Sequence, residues 1–179
     1  MPKLPEKVLA SRHIYSCRII NVYDNLVKMD NGCIVKREIV EHSGAVAAIA
    51  LTDKNQIVLV KQFRSPTKEY LLEIPAGLIK KGEKFEIAAK RELKEETGYS
   101  AKKAKVILRA YATPGYSNEI ITYVLAQNVK FGKATPEEDE VTYPVVMSIA
   151  NAFKLVKKGK IKDNKTILGL YIAKEIIEK

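Results

Sequence analysis

The chain has 179 residues, 46% of them hydrophobic and 29% charged, which suits one globular domain with a substantial core. No apolar run reaches the length of a bilayer span, and the start Met1-Pro2-Lys3-Leu4-Pro5-Glu6-Lys7 lacks the apolar segment of a signal peptide, so a cytoplasmic protein with no membrane partner is expected. The net charge of +10 attracts anions, but the lysines are scattered rather than arrayed with aromatics, which argues against a nucleic-acid partner and leaves a small phosphorylated ligand open.

Cys17 and Cys33 are too few and too isolated for a disulfide framework or a zinc site, and their partly apolar contexts predict buried small hydrophobes. The stretch from Ile14 to Val40 is strand-like in three pieces, Ile14–Val22, Tyr23–Met29 and Cys33–Val40, with Asn31-Gly32 predicting a type I′ hairpin turn. A second hairpin joins two near-continuous apolar runs, Gly44–Leu51 and Gln56–Phe63, expected to be buried on both faces. A short strand, Tyr70–Ile74, is broken by Pro75-Ala76-Gly77.

A helix is predicted over Lys84–Thr97, since Phe85, Ala88, Ala89 and Leu93 keep helical spacing and Gly98 supplies the stop. Strands near Val106–Ala112, Ile120–Ala126 and Pro144–Met147 follow, with an acidic loop before the last. Two helices close the chain, one over Ser148–Lys157 and one with Asp163 as its N-cap. Mixed strands with interspersed helices predict an α/β sandwich preceded by a small antiparallel sheet.

Within the first helix, Glu92 and Glu96 lie one turn apart on the same side, and Glu95 sits on the adjacent flank. Such like charges repel by a few tenths of about 1 kcal/mol per pair unless a cation joins them. Hard oxygen ligands suit Mg²⁺ or Mn²⁺, especially where the ion also holds substrate phosphates. Arg91 can pair with Glu95, so the helix alone is equally an ordinary solvated charged face.

The wider pattern is more specific. Gly77, five residues, Glu83, seven residues, then Arg91-Glu92-Leu93-x-Glu95-Glu96-x-Gly98-Tyr99 resembles the Nudix box, with Tyr99 standing where that family more often has an aliphatic residue. The resemblance implies a Nudix-type α/β/α sandwich with a mixed sheet that hydrolyses a nucleoside diphosphate linked to another moiety. It implies Glu92, Glu96 and the carbonyl of Ala76 as ligands of Mg²⁺ or Mn²⁺, with Glu95 near the same site. Arg91 and Glu83 would brace loop and helix, and Gly77 would permit the tight entry.

Outer segments resemble the ADP-ribose pyrophosphatase branch: Val40–Val46, Leu59–Arg64, Leu72–Gly77, Gly159–Asp163, and Pro114 sixteen residues after Gly98. That branch implies Arg64 and Glu73 holding the nucleotide, Pro114 near the substrate, and Arg37 reaching it across a subunit boundary. A homodimer is implied, built through residues 1–40, which would also form part of the base pocket beside a hydrolase domain of residues 41–179. Tyr15 or Tyr23 could stack on adenine, although strand aromatics usually just pack. A glutamate of the acidic loop, Glu138 or Glu140 with Glu137 one slip away, would activate the attacking water. ADP-ribose would give AMP and ribose 5-phosphate; GDP-mannose, another ADP-sugar, or a silent nucleotide-sugar sensor remain alternatives. His13 and His42 suggest no triad and are expected to be structural.

Overall fold

The computed structural model describes residues 5–132 and 141–178, which divide into two units, one of residues up to 44 with 110–120 and one of 45–109 with 121 onward.

The first unit is an antiparallel meander of β1 (Glu6–Ser16), β2 (Ile20–Met29) and β3 (Ile34–His42), in the order β1-β2-β3. The first strand begins well before the expected Ile14. Register shifts at Val8/Ala10 and His13/Tyr15 interrupt the two-residue period, and almost every β1 residue is exposed, so no burial pattern marks it in the sequence. The chain turns at residues 17–19, where the Cys17 N–H donates to the Ile20 carbonyl at 3.0 Å.

The hairpin between β2 and β3 is not type I′. Gly32 has φ of 85° but Asn31 is not among the residues of positive φ, whereas type I′ needs both. Instead Gly32 N–H donates to Met29 O at 2.9 Å and Met29 N–H to Cys33 O at 2.8 Å, a three-residue loop ending in a left-handed glycine. Both cysteines are exposed, against expectation, because each falls at a turn rather than on an inward strand position. Residues 113–118 lie along β3, with Val40 N–H donating to Tyr116 O at 2.8 Å and His42 N–H to Asn118 Oδ1 at 2.8 Å.

The second unit is built on a mixed sheet of β4 (Ala45–Leu51), β5 (Gln56–Arg64), β6 (Glu69–Glu73), β7 (Ala76–Leu78), β8 (Tyr99–Tyr111), β9 (Ile120–Phe131) and β10 (Thr142–Ser148). Its main path runs β10-β5-β4-β9-β8, while β6 pairs with β5 and β7 with β4. The β4 strand is parallel to β9 and antiparallel to β5 and β7. Pro144 lies in β10, an edge strand, where a missing N–H is tolerated. The strands β8 and β9 run longer than predicted, because exposed lysines such as Lys102, Lys103 and Lys105 dilute the apolar signal of β8.

The helices are α1 (Phe85–Thr97), α2 (Ile149–Lys157) and α3 (Asn164–Ile177). Alternation along β4 separates two layers. Val46, Ala48 and Ala50 pack in one core with Ala88, Ala89 and Leu93 of α1. Ile49, on the other face, meets α3, where a Cβ at Gly169 would lie 2.9 Å from Ile74 Cδ1 and 3.5 Å from Ile49 Cγ1. Burial of a side chain such as Leu93 contributes roughly 2 kcal/mol, so this alternation commits the strand to a helix on each side. The expected α/β sandwich with a small antiparallel sheet before it is the architecture observed. The inner half of β5 is fully buried as expected, but Lys61 and Phe63 are exposed further along it.

Candidate metal and nucleotide site

The helix α1 starts at Lys84, whose side chain makes no cap, and Glu86 in the first turn complements the helix dipole. It ends at Gly98, with φ of 75° and an N–H donated to Lys94 O, a left-handed stop that an L side chain would strain. The helix turns Ala88, Ala89 and Leu93 toward the sheet, and the same geometry buries Glu92 and Glu96, which are 8% and 2% exposed. Burying carboxylates costs several kcal/mol each unless they are compensated, on the order of the penalties for isolated charges in proteins.

Part of the compensation comes from the strand beside them. The Ala76 N–H donates to Glu96 Oε2 at 3.2 Å. A Cβ on Gly77 would overlap the Glu92 carboxylate, whose Cδ and both oxygens occupy that space. The glycine is therefore required for room: unlike Gly82 and Gly98, it is not among the residues of positive φ. Both carboxylates thus lie against the Ala76–Gly77 backbone of β7, which β4 holds through the pairs Ala47↔Ala76 and Val46↔Gly77.

Arg91 compensates Glu92 further. Its guanidinium donates to Glu83 Oε1 and Oε2 at 3.0 Å each, to Glu92 Oε1 at 2.5 Å, to Glu95 Oε2 at 2.9 Å and to Leu78 O at 2.9 Å. The hydrogen bonds it donates to Glu83 push the Arg91 guanidinium further toward the charged form, and Arg91 in turn holds the Glu83 carboxyl below the usual glutamate range. Glu83 also accepts the Lys80 N–H at 3.0 Å, closing the loop before α1. The expected i, i+4 pair of Arg91 with Glu95 forms, but as one arm of a hub joining loop, strand and helix.

A divalent cation fits this arrangement. Glu92 and Glu96 offer hard oxygens side by side against the Ala76–Gly77 backbone, where the absence of a side chain on Gly77 makes room for the Glu92 carboxylate. Among the described residues no three Asp, Glu, His or Cys side chains converge as a ready-made cage. That is compatible with an ion such as Mg²⁺, which keeps waters and shares substrate phosphates rather than taking an all-protein shell.

On the same unit, Arg64 of β5 forms a fork with Glu73 of β6, Nε to Oε1 and Nη2 to Oε2, both at 2.8 Å. The strands β5 and β6 pair Val60 with Glu73 and Arg64 with Glu69, which brings the two side chains together. Glu73 is 1% exposed, so its carboxylate braces Arg64 from within, whereas the Arg64 side chain is 38% exposed and can meet a ligand. Burial would raise the Glu73 carboxyl, but the bonds from Arg64 and the charge of Lys165 outweigh it and hold it below the usual range. Its hydrogen bonds to Glu73 push Arg64 up, and the charges of Glu96 and Asp163 act in the same sense, linking Arg64 electrostatically to the carboxylate helix.

Lys165 escaped the sequence reading. It reaches Glu73 Oε2 from α3 and lies 3.1 Å from Asp163 Oδ1, a convergence of residues 92 positions apart that no local pattern announces. Thr142 was also missed; its hydroxyl donates to the Glu96 carbonyl at 2.9 Å.

Arg37 and Pro114 belong to the first unit. Arg37 donates through Nε and Nη2 to Glu6 Oε1 at 3.1 and 2.7 Å, an ion pair between partly exposed side chains. Pro114 is exposed in a turn in which Ser117 N–H donates to Thr113 O at 3.0 Å. Tyr23 packs against His13 with ring centroids 5.2 Å apart, and Tyr15 is 57% exposed. His42 accepts the Gly44 N–H at Nδ1, and His13 shares a hydrogen bond with the Ser16 hydroxyl. Glu137, Glu138 and Glu140 lie outside the described residues. None of the described helices is long and apolar enough to cross a membrane.

The family model for the NUDIX domain matches residues 41–168. Over 172 residues the chain is 44% identical to the ADP-ribose pyrophosphatase of Bacillus subtilis (strain 168), covering 95% of this chain and 93% of that protein. Over 167 residues it is 37% identical to the methanol dehydrogenase activator of Bacillus methanolicus, covering 92% and 90%. A crystal structure of an ADP compounds hydrolase, 23% identical, matches with a TM-score of 0.86 over 98% of this chain and 95% of that one, a likeness of fold.

Proposed function

The chain belongs to the NUDIX domain family, and from that premise we propose that it hydrolyses the pyrophosphate bond of ADP-ribose to AMP and ribose 5-phosphate, using Mg²⁺ or Mn²⁺. The observation that carries this reading is the burial of Glu92 and Glu96 against the Ala76–Gly77 backbone, joined to near-full-length similarity with a named ADP-ribose pyrophosphatase.

In this reading Glu92, Glu96 and the Ala76 carbonyl hold the cation. When bound, the cation offsets negative charge on the phosphoryl oxygens and favours ionisation of water. Arg64, braced by Glu73, binds a phosphate group through its exposed edge. Glu95 stays on the Arg91 hub beside the metal ligands. A loop glutamate, Glu138 or Glu140, or Glu137 in a shifted register, takes the proton from the attacking water. The water oxygen bonds to one phosphorus, the bond from that phosphorus to the bridging oxygen breaks, and the bridging oxygen leaves with the other phosphate. No serine or cysteine nucleophile is needed.

The proposal includes a homodimer formed through the amino-terminal sheet, in which Arg37 and Pro114 help form the substrate pocket. Exposed Val8, Leu9, Ile14 and Ile34 on that sheet support it, being unusual for a surface left in water. Nucleotide-sugar substrates favour a cytoplasmic setting. A second reading, a nucleotide-sensing domain that regulates a partner, is kept by the similarity to the methanol dehydrogenase activator.

The test is phosphate release after coupled phosphomonoesterase treatment across ADP-ribose, other ADP-sugars, GDP-mannose and a nucleoside triphosphate, with Mg²⁺, Mn²⁺ or chelator. Metal-dependent preference for ADP-ribose is the expected result. Preference for GDP-mannose or another sugar would replace the substrate, and no turnover with either cation would leave the sensing reading.

A further inference from the structure

The buried Glu73 carboxylate has two cationic partners where the Arg64 fork alone would satisfy both of its oxygens. Oε2 accepts Arg64 Nη2 at 2.8 Å and is shared with Lys165 Nζ. Lys165 is itself largely buried, its side chain 14% exposed, and lies 3.1 Å from Asp163 Oδ1. Two cations and two carboxylates therefore make a network that is neutral as a whole.

That network is fastened to the fold on the side away from Arg64. Asp163 caps α3, its Oδ2 accepting the Thr166 N–H at 2.9 Å and the Thr166 hydroxyl at 2.5 Å. The Thr166 Oγ1 accepts the Ile74 N–H at 2.8 Å, and Ile74 is the residue after Glu73. Lys165 thus bridges a capped helix terminus and the end of β6, both anchored in the core, while Arg64 extends from them toward solvent.

We propose that Lys165 is a positioning residue for Arg64, acting through Glu73, so that the guanidinium keeps the orientation in which it grips a substrate phosphate. This rests on the reading that Arg64 binds the phosphates of a nucleotide sugar. The physical reason is charge balance. Without Lys165, Arg64 is the cation left, among the ion pairs of the described residues, to balance Glu73 and the nearby Asp163, and the pull of the second carboxylate draws it inward from the ligand. A lysine serving only to staple α3 would change stability and leave substrate affinity untouched.

The test compares ADP-ribose kinetics of the full-length wild type with Lys165→Met, Lys165→Arg, Arg64→Ala and the Lys165→Met/Arg64→Ala pair. Lys165→Met should raise KM about tenfold and Arg64→Ala about thirtyfold, with kcat changed by less than about threefold. The double variant should match Arg64→Ala alone, because a residue acting through Arg64 has nothing left to act on. Lys165→Arg, which keeps the charge, should bring KM back to within about threefold of wild type. An unchanged KM in Lys165→Met, or multiplying effects in the double variant, would overturn the proposal.

A second arm does not depend on turnover. The Arg64 Nε–H resonance, assigned by its loss in Arg64→Lys, should exchange with solvent about tenfold faster in Lys165→Met, since its bond to Glu73 opens more often. Unchanged exchange would also sink the proposal. If wild-type protein fails to hydrolyse ADP-ribose, the functional reading falls, and the exchange measurement still decides whether Lys165 orders Arg64.

Discussion

The carboxylate of Glu92 occupies the space that a side chain on Gly77 would need, so one glycine and one glutamate, fifteen positions apart, share a single volume. The glycine belongs to a strand of the sheet and the glutamate to the helix packed on it, which makes this contact the point where sheet and carboxylate helix are registered.

Gly77→Ala should therefore displace Glu92. Overpacking at such a contact costs about 1–3 kcal/mol, and turnover should fall by about tenfold or more as the carboxylate moves. Thermal unfolding together with kcat/KM checks this, and an alanine variant with wild-type rates would mean that Glu92 is not held where the chemistry needs it.

Glu96→Gln keeps an oxygen to accept the Ala76 N–H, so the fold should survive. On the proposed reading turnover should drop by about a hundredfold or more, because a charge that would hold the cation is gone. The rise in melting temperature on adding Mg²⁺ should shrink as well. A full metal-dependent rise with normal turnover would remove Glu96 from the metal site.

The Glu73 carboxyl sits below its ordinary value, and the sign of its pH dependence follows. A depressed carboxyl stabilises the fold above its unfolded value, about 4.3, and that contribution is lost as pH falls through the folded value. The gap in melting temperature between wild type and Glu73→Gln should be widest above about pH 5 and narrow below about pH 4. A gap that is constant or grows in acid would contradict the assignment of the Arg64 and Lys165 pairing as the stabilising one.

Of Glu137→Gln, Glu138→Gln and Glu140→Gln, one should lower kcat by about 10²–10⁴-fold with little change in KM, the range for loss of a general base. Bell-shaped pH profiles should lose their acidic limb in that variant only. Three variants of normal kcat would assign activation of the water to another group.

What the sequence determined by itself was the set of elements whose information is local. The spacing of Ala88, Ala89 and Leu93 marks α1, the glutamates one turn apart mark its buried polar edge, and Asp163 marks the start of α3 where it is observed. The box from Gly77 to Tyr99 was readable for the same reason, since its residues act within one loop and one helix. The start of the outermost strand was placed too late because exposure and bulges remove the two-residue period, and the hairpin type was misread because Asn-Gly permits more than one turn.

Tertiary structure decided the partnerships between distant segments. Only folding brings Lys165 and Asp163 to Glu73, sets Thr142 on the Glu96 carbonyl, and adds Glu92 and the Leu78 carbonyl to the Arg91 partners Glu83 and Glu95 that the sequence had suggested. Periodicity reports which face of an element is apolar, but the partner of a buried charge depends on how sheet and helices close around it, and the cost of leaving that charge unpaired is what makes the pairing specific.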